Sequence, residues 1–163
     1  MIAEGRAGRV QRAYQPGHPH AFVSSIYMGE VALCRVLWDP DDVLAPLRRQ
    51  CHPYPEALGE ALIKIFFWEA RFAVENATHG RGQNDPVYVA GCTFRAALCL
   101  CQVLFALNRV YLLNEKGAVA GVGHLARKPA HFARRIEQVV RDGAAGLPAL
   151  MALVDETASL LKA

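Results

Sequence analysis

From Pro86 to Leu113 the chain runs for roughly 28 residues, about 42 Å if helical, with no breaker except a tolerated Gly91. Asp85 supplies an N-cap, and Pro86 suits the first helical position, where an N–H is not needed. Apolar side chains occupy nearly every face of this stretch. A helix of that kind has to be central and buried, with other helices packed around it.

The remaining sequence supplies those helices. Leu58, Leu62, Ile65, Phe66, Glu69, Phe72 and Ala73 recur at three- and four-residue spacing, and Gly80 and Gly82 close a second long helix. Phe22, Ile26, Val31, Leu33 and Leu37 predict a helix from Phe22 to Trp38, which Asp39-Pro40 stops. A short helical piece spans Asp42 to Arg49. Two more helices are expected, from Pro129 to Arg141 and from Pro148 to Leu161. No segment alternates apolar and polar residues over a useful length. The expected fold is all-α, a bundle of five or six helices around two long antiparallel ones. Residues 1–20, polar and broken by Pro16-Gly17-His18-Pro19, read as an irregular polar arm, and residues 21–163 as a single helical bundle domain.

Apolar residues make up 53% of the chain and charged residues 20%, which excludes a disordered chain. A formal charge of +3 is too mild for a nucleic-acid binder. The first twenty residues lack the apolar segment of a signal peptide, and Ala96 to Leu107 is too short to cross a bilayer. With five cysteines and no secretory signal, the expected setting is the reducing cytoplasm, with no membrane partner. Cys99 and Cys101 lie about 200° apart around a helix, cannot share a metal, and read as small buried residues. The apolar excess predicts a homodimer through the long helices.

Few constellations point to chemistry. Asp39-Pro40-Asp41 has the Asp-x-Asp spacing that holds two divalent ions, but its turn and proline read as a turn plus N-cap. His18-x-His20 lacks a third metal ligand. The Arg–His spacing of a helical RNase is not met, since Arg12 to His18 crosses a Pro-Gly loop and Arg127 to His131 contains Pro129. Polar residues inside the apolar helices are more telling. Glu69 sits between Trp68 and Ala70 on a core-leaning stripe, and Arg95 shares one helix side with Gly91 and Tyr88. Buried charges persist when paired, so Glu69 and Arg95 read either as a bridge between the long helices or as walls of a cleft for a polar ligand. The run Asn114-Glu115-Lys116-Gly117 reads as a helix C-cap or as a phosphate-binding point charge on Lys116.

Taken together, Trp68-Glu-Ala-Arg-Phe72, Tyr88-Val-Ala-Gly-Cys-Thr-Phe-Arg95, Gln102-Val-Leu-Phe-Ala-Leu-Asn108 and Leu113-Asn-Glu-Lys-Gly117 resemble the C-terminal helical domain of bacterial nucleotidyltransferase-domain proteins. Pro16 to Tyr27, with Asp39-Pro40, is similar to the join that follows their catalytic core. The resemblance spans roughly residues 15 to 140. It implies a helical substrate-binding domain like that of kanamycin nucleotidyltransferase and its relatives in the DNA polymerase β superfamily. The Gly-Ser turn and strand-borne Asp-x-Asp of the family core would lie upstream of residue 15 and have no counterpart here. The expectation is therefore a nucleotide- or small-molecule-binding domain, not catalytic alone, with no cofactor of its own. Mg²⁺ belongs to the missing core, a nucleotidyltransferase catalytic domain supplied in cis or in trans. The resemblance implies Lys116 for triphosphate charge, Arg95 and Glu69 as cleft or supporting groups, and Tyr88 and Asn114 for ligand hydrogen bonds. The rival expectation is a non-catalytic helical interaction module of a two-component or toxin–antitoxin type.

Overall fold

The computed structural model describes residues 1–162, and it is mostly helical. Two long helices form its axis, α4 (Glu56–Gly82) and α5 (Pro86–Leu107), preceded by α1 (Ile2–Arg6), α2 (Ile26–Leu33) and α3 (Leu44–Cys51) and followed by α6 (Ala118–Val122), α7 (Phe132–Asp142) and α8 (Leu147–Lys162). A 3-10 turn, Gly143–Gly146, joins the last two. α4 and α5 are antiparallel. Gly80 faces Tyr88 at one end, where a Cβ would meet the ring at 2.7 Å, and Gly59 faces the Ala106 carbonyl at the other, where a Cβ would make ordinary contact.

α5 starts as its sequence dictates, with the Asp85 carboxylate accepting the Tyr88 N–H at 3.0 Å and Pro86 in the first turn. Its middle is buried without interruption from Ala96 to Ala106. Leu100, Leu104, Leu150 and Leu153 are among the largest fully enclosed side chains. By length and composition α5 could cross a membrane, as could the continuous stretch Phe132–Lys162, so the shorter span read from Ala96 to Leu107 understates this helix. In the bundle 72% of its most apolar window is enclosed.

The helix ends at Leu107, short of the expected Leu113. Asn108 stops it: its amide donates to the Leu104 carbonyl at 2.7 Å and to the Arg127 carbonyl at 2.8 Å, and its side-chain oxygen accepts the Arg127 N–H. Arg109 then adopts φ 56°, a left-handed turn that no helix continues through. Residues 110–117 form a strap instead. Tyr111 is buried in it, donating its hydroxyl to the Cys51 carbonyl at 2.8 Å and packing on Tyr54. Leu113 fills the space over Gly29.

The N-terminal region needs the largest correction. Residues 1–20 are not an irregular arm, and the sheet is absent from an all-α reading. β1 (Arg12–Gln15) and β2 (His18–Val23) pair antiparallel, with Arg12 opposite Val23 and Gln15 opposite His18. Pro16 and Gly17 make the two-residue connection, and Gly17 at φ 87° takes the left-handed position that follows proline in a type II turn. β2 buries His20 and Val23 against the bundle, whereas β1 is exposed throughout. The expected helix from Phe22 to Trp38 is likewise split. Phe22 belongs to β2, and Ser24 ties back to Gln11 through both its backbone N–H and its hydroxyl. α2 begins only at Ile26.

The Asp39 turn is structural. Its two carboxylate oxygens accept the Val43 and Leu44 N–H groups at 3.0 and 2.9 Å at the start of α3. Cys99 and Cys101 are buried, and burial raises both thiols, that of Cys101 to about 12.

Candidate functional site

Glu69 and Arg95, 26 positions apart, meet where α4 crosses α5. Arg95 donates through Nε to Glu69 Oε1 at 3.1 Å and again through its Nη2. The sequence does not reveal a third member, Arg12 of β1, whose Nη1 donates to Glu69 Oε2 at 2.7 Å. One carboxylate thus serves two guanidinium groups. Arg12 also lies over the Phe66 ring at 5.8 Å.

His20 completes the cluster from β2. Its carbonyl accepts from Arg95 Nη1, and its Nδ1 stands 3.4 Å from the same atom. The imidazole packs on Phe66 with ring centroids 5.5 Å apart. Burial first, and the Arg95 charge second, lower its pKa to about 4. The ring is therefore neutral at pH 7. With Arg12 and Arg95 against the single Glu69, the cluster carries one surplus positive charge.

That surplus faces solvent. A cavity of about 490 Å³ opens beside the hairpin, lined by Val10, Arg12, Ala13, Tyr14, His20, Ala21 and Arg95. Glu69 stands behind its wall as the group that holds both guanidinium groups in place.

Of the five residues implied as binding groups, only Arg95 and Glu69 meet there. Tyr88 packs on Gly80 at the far end of the long hairpin and is half-exposed. Asn114 and Lys116 belong to the strap, seven and nine residues past the end of α5 and so too far to cap it, and both are exposed. The Asn114 side chain accepts the Lys116 N–H at 2.8 Å in a local turn, and Gly117 follows at φ 72°. Glu115 between them turns inward. Its Oε2 lies 3.4 Å from His18 Nδ1, and its side chain is 9% exposed. Among the described residues no group of three metal-ligating side chains occurs, His18 and His20 included.

Sequence reasoning missed Arg12, His20 and Glu115. The first two depend on a hairpin with no alternating signal, and the third on a strap that mimics a cap. Comparison with protein-family models, with curated proteins and with solved structures finds no match to this chain.

Proposed function

We propose that this chain is a helical substrate-binding domain of a nucleotidyltransferase-like protein, binding a nucleotide or another phosphate-bearing small molecule and not catalytic alone. The observation that supports it most is the pair of guanidinium groups, Arg12 and Arg95, on the wall of one open cavity with a single carboxylate between them. Guanidinium groups match phosphate oxygens in a planar, two-pronged geometry. Glu69 acts as a positioning residue. Lys116, Tyr88 and Asn114 stand outside that cavity, and their roles in binding triphosphate or ligand rest on the resemblance. Mg²⁺ and the attacking hydroxyl would be handled by a catalytic domain in cis or in trans, in the cytoplasm.

Pyrophosphate and ATP titrated calorimetrically into the full chain at pH 7 are expected to bind with Kd below about 1 mM. Arg12→Ala, an exposed change, should weaken binding about tenfold by removing one charge-assisted contact. Raising the salt should weaken it further. Absence of binding, or affinity unchanged in Arg12→Ala, overturns the anion site.

A specific observation also favours association. Trp68 and Phe72 stack at 5.1 Å on the outside of α4 and are 65% and 48% exposed. Leu37 and Trp38 are exposed beyond α2. A homodimer through the α4 face would cover the aromatic pair, burying at least about 1,200 Å² in total. Sedimentation equilibrium should give twice 17.9 kDa, falling toward the monomer in Trp68→Ala/Phe72→Ala. A single mass near 18 kDa, unchanged on about tenfold concentration, ends the dimer and with it the case for an interaction module built on self-pairing.

A further inference from the structure

The ladder of the N-terminal hairpin breaks at Tyr14. Arg12 stands opposite Val23, Ala13 opposite Phe22 and Gln15 opposite His18, so β2 sets Pro19, His20 and Ala21 against Tyr14 alone. Pro19 has no N–H to give the ladder. Irregularities of this kind take a side chain out of the regular pleat and re-aim it. The side chain concerned is large. Tyr14 is 83% exposed, and its ring belongs to none of the aromatic pairs among the described residues. A single exposed ring is common on protein surfaces and by itself means nothing. Tyr14, however, lines the Arg12–Arg95 cavity, together with Ala13 and Ala21 from the same irregularity.

The cavity wall thus combines two kinds of group. Arg12 and Arg95 supply charge-assisted donors, and no carboxylate shares the wall with them. Of the Arg12 nitrogens only Nη1 has a partner among the described residues, and 42% of the side chain stays in solvent. Tyr14 supplies an unoccupied aromatic face, whereas the His20 ring is already packed on Phe66. Arg12 and Tyr14 are two positions apart on β1, about 7 Å along a strand. A nucleotide likewise carries its ring and its phosphates on two sides of one sugar. The cavity volume of about 490 Å³ is that of a pocket for a small-molecule ligand. Val10, Ala13 and Ala21 complete the wall and offer no side-chain donor or acceptor to a base edge.

We propose that this cavity takes a nucleoside phosphate whose base stacks on Tyr14, and that it recognises the presence of a base rather than its identity. The proposal rests on the anion reading of the cavity given above and adds the group that separates a nucleotide from a bare phosphate chain. Stacking on an aromatic side chain tolerates any base, because every base has a π-face.

The test titrates the full chain at pH 7 by calorimetry with ATP, CTP and tripolyphosphate, the last carrying the phosphates without a ring. Both nucleotides are expected to bind about tenfold tighter than tripolyphosphate and within about fivefold of each other. Tyr14→Ala should bring both down to the affinity of tripolyphosphate and leave tripolyphosphate itself unchanged. Tyr14→Phe, which keeps the ring, should retain the preference. Nucleotides no tighter than tripolyphosphate, or a preference indifferent to Tyr14→Ala, overturn the proposal, while tripolyphosphate binding that weakens in Arg12→Ala keeps the anion site. A preference lost equally in Tyr14→Phe assigns the gain to the hydroxyl and overturns stacking. A larger gap between ATP and CTP overturns the indifference to base identity. If none of the three binds, the anion site itself has failed and the proposal falls with it.

Discussion

Glu69→Ala is expected to lower the unfolding free energy by about 3 kcal/mol, the low end of the cost of breaking a buried ion pair. The low end applies because Glu69 and Arg95 side chains keep 17% and 29% of their surface in solvent. The change removes the one acceptor shared by Arg12 and Arg95 and leaves two guanidinium groups facing each other. Arg95→Ala should cost less, since Glu69 keeps its 2.7 Å bond to Arg12. Arg12→Ala should cost under about 1 kcal/mol, because that side chain is 42% exposed. The double variant Glu69→Ala/Arg95→Ala should fall short of the sum of the two single losses, since a contacting pair couples. Urea denaturation of the native chain and these four variants at pH 7 measures this. A 3 kcal/mol loss would also lower Tm by about 6–12 °C in a domain of this size. Strict additivity would mean the two groups contribute independently, and the bridge between α4 and α5 would have no energetic content.

The same cluster shows what could be read from the residues alone. Asp85-Pro86 marks the start of α5 correctly because both cues are local. A cap needs a carboxylate three residues before an N–H, and a first-turn proline needs only its own φ. Glu69 and Arg95 were legible as partners because each interrupts an apolar face, and a half-buried charge has few stable options other than an opposite charge. Arg12 carries no such mark. It lies on a fully exposed strand, 57 positions from the carboxylate it reaches. The helix expected from Phe22 to Trp38 failed for a related reason. Leu33 and Leu37 supply its spacing, yet both are exposed, so spacing without burial does not specify a helix. The Asn114–Gly117 run copies the residues of a helix C-cap, whereas the real stop is Asn108, whose side chain holds a carbonyl of its own helix and the distant Arg127 backbone together. Tertiary partners decided each of these cases.

Stability should also fall steeply with pH below neutrality, and His20 should account for it. In the unfolded chain its imidazole titrates near 6.5, and in the folded chain burial and the Arg95 charge lower that to about 4. Between those values the unfolded state holds a proton that the folded state refuses. The contribution is therefore fully present above about pH 6.5 and is lost as pH falls through 4. The whole difference is about 3 kcal/mol, of which about 2 kcal/mol is gone by pH 5. That interval lies mostly above the ordinary carboxylate range, so the acidic side chains add little to the slope there. His20→Phe separates the causes. It keeps a ring against Phe66, leaves the His20 backbone carbonyl that accepts from Arg95, and removes both the titration and an Nε2 that is buried without a partner. Urea midpoints measured from pH 7.5 to 5 should decline in the native sequence and stay nearly level in His20→Phe. An equal decline in both would place the acid sensitivity elsewhere and would mean that the imidazole beside Arg95 is open enough to take its proton in the folded state.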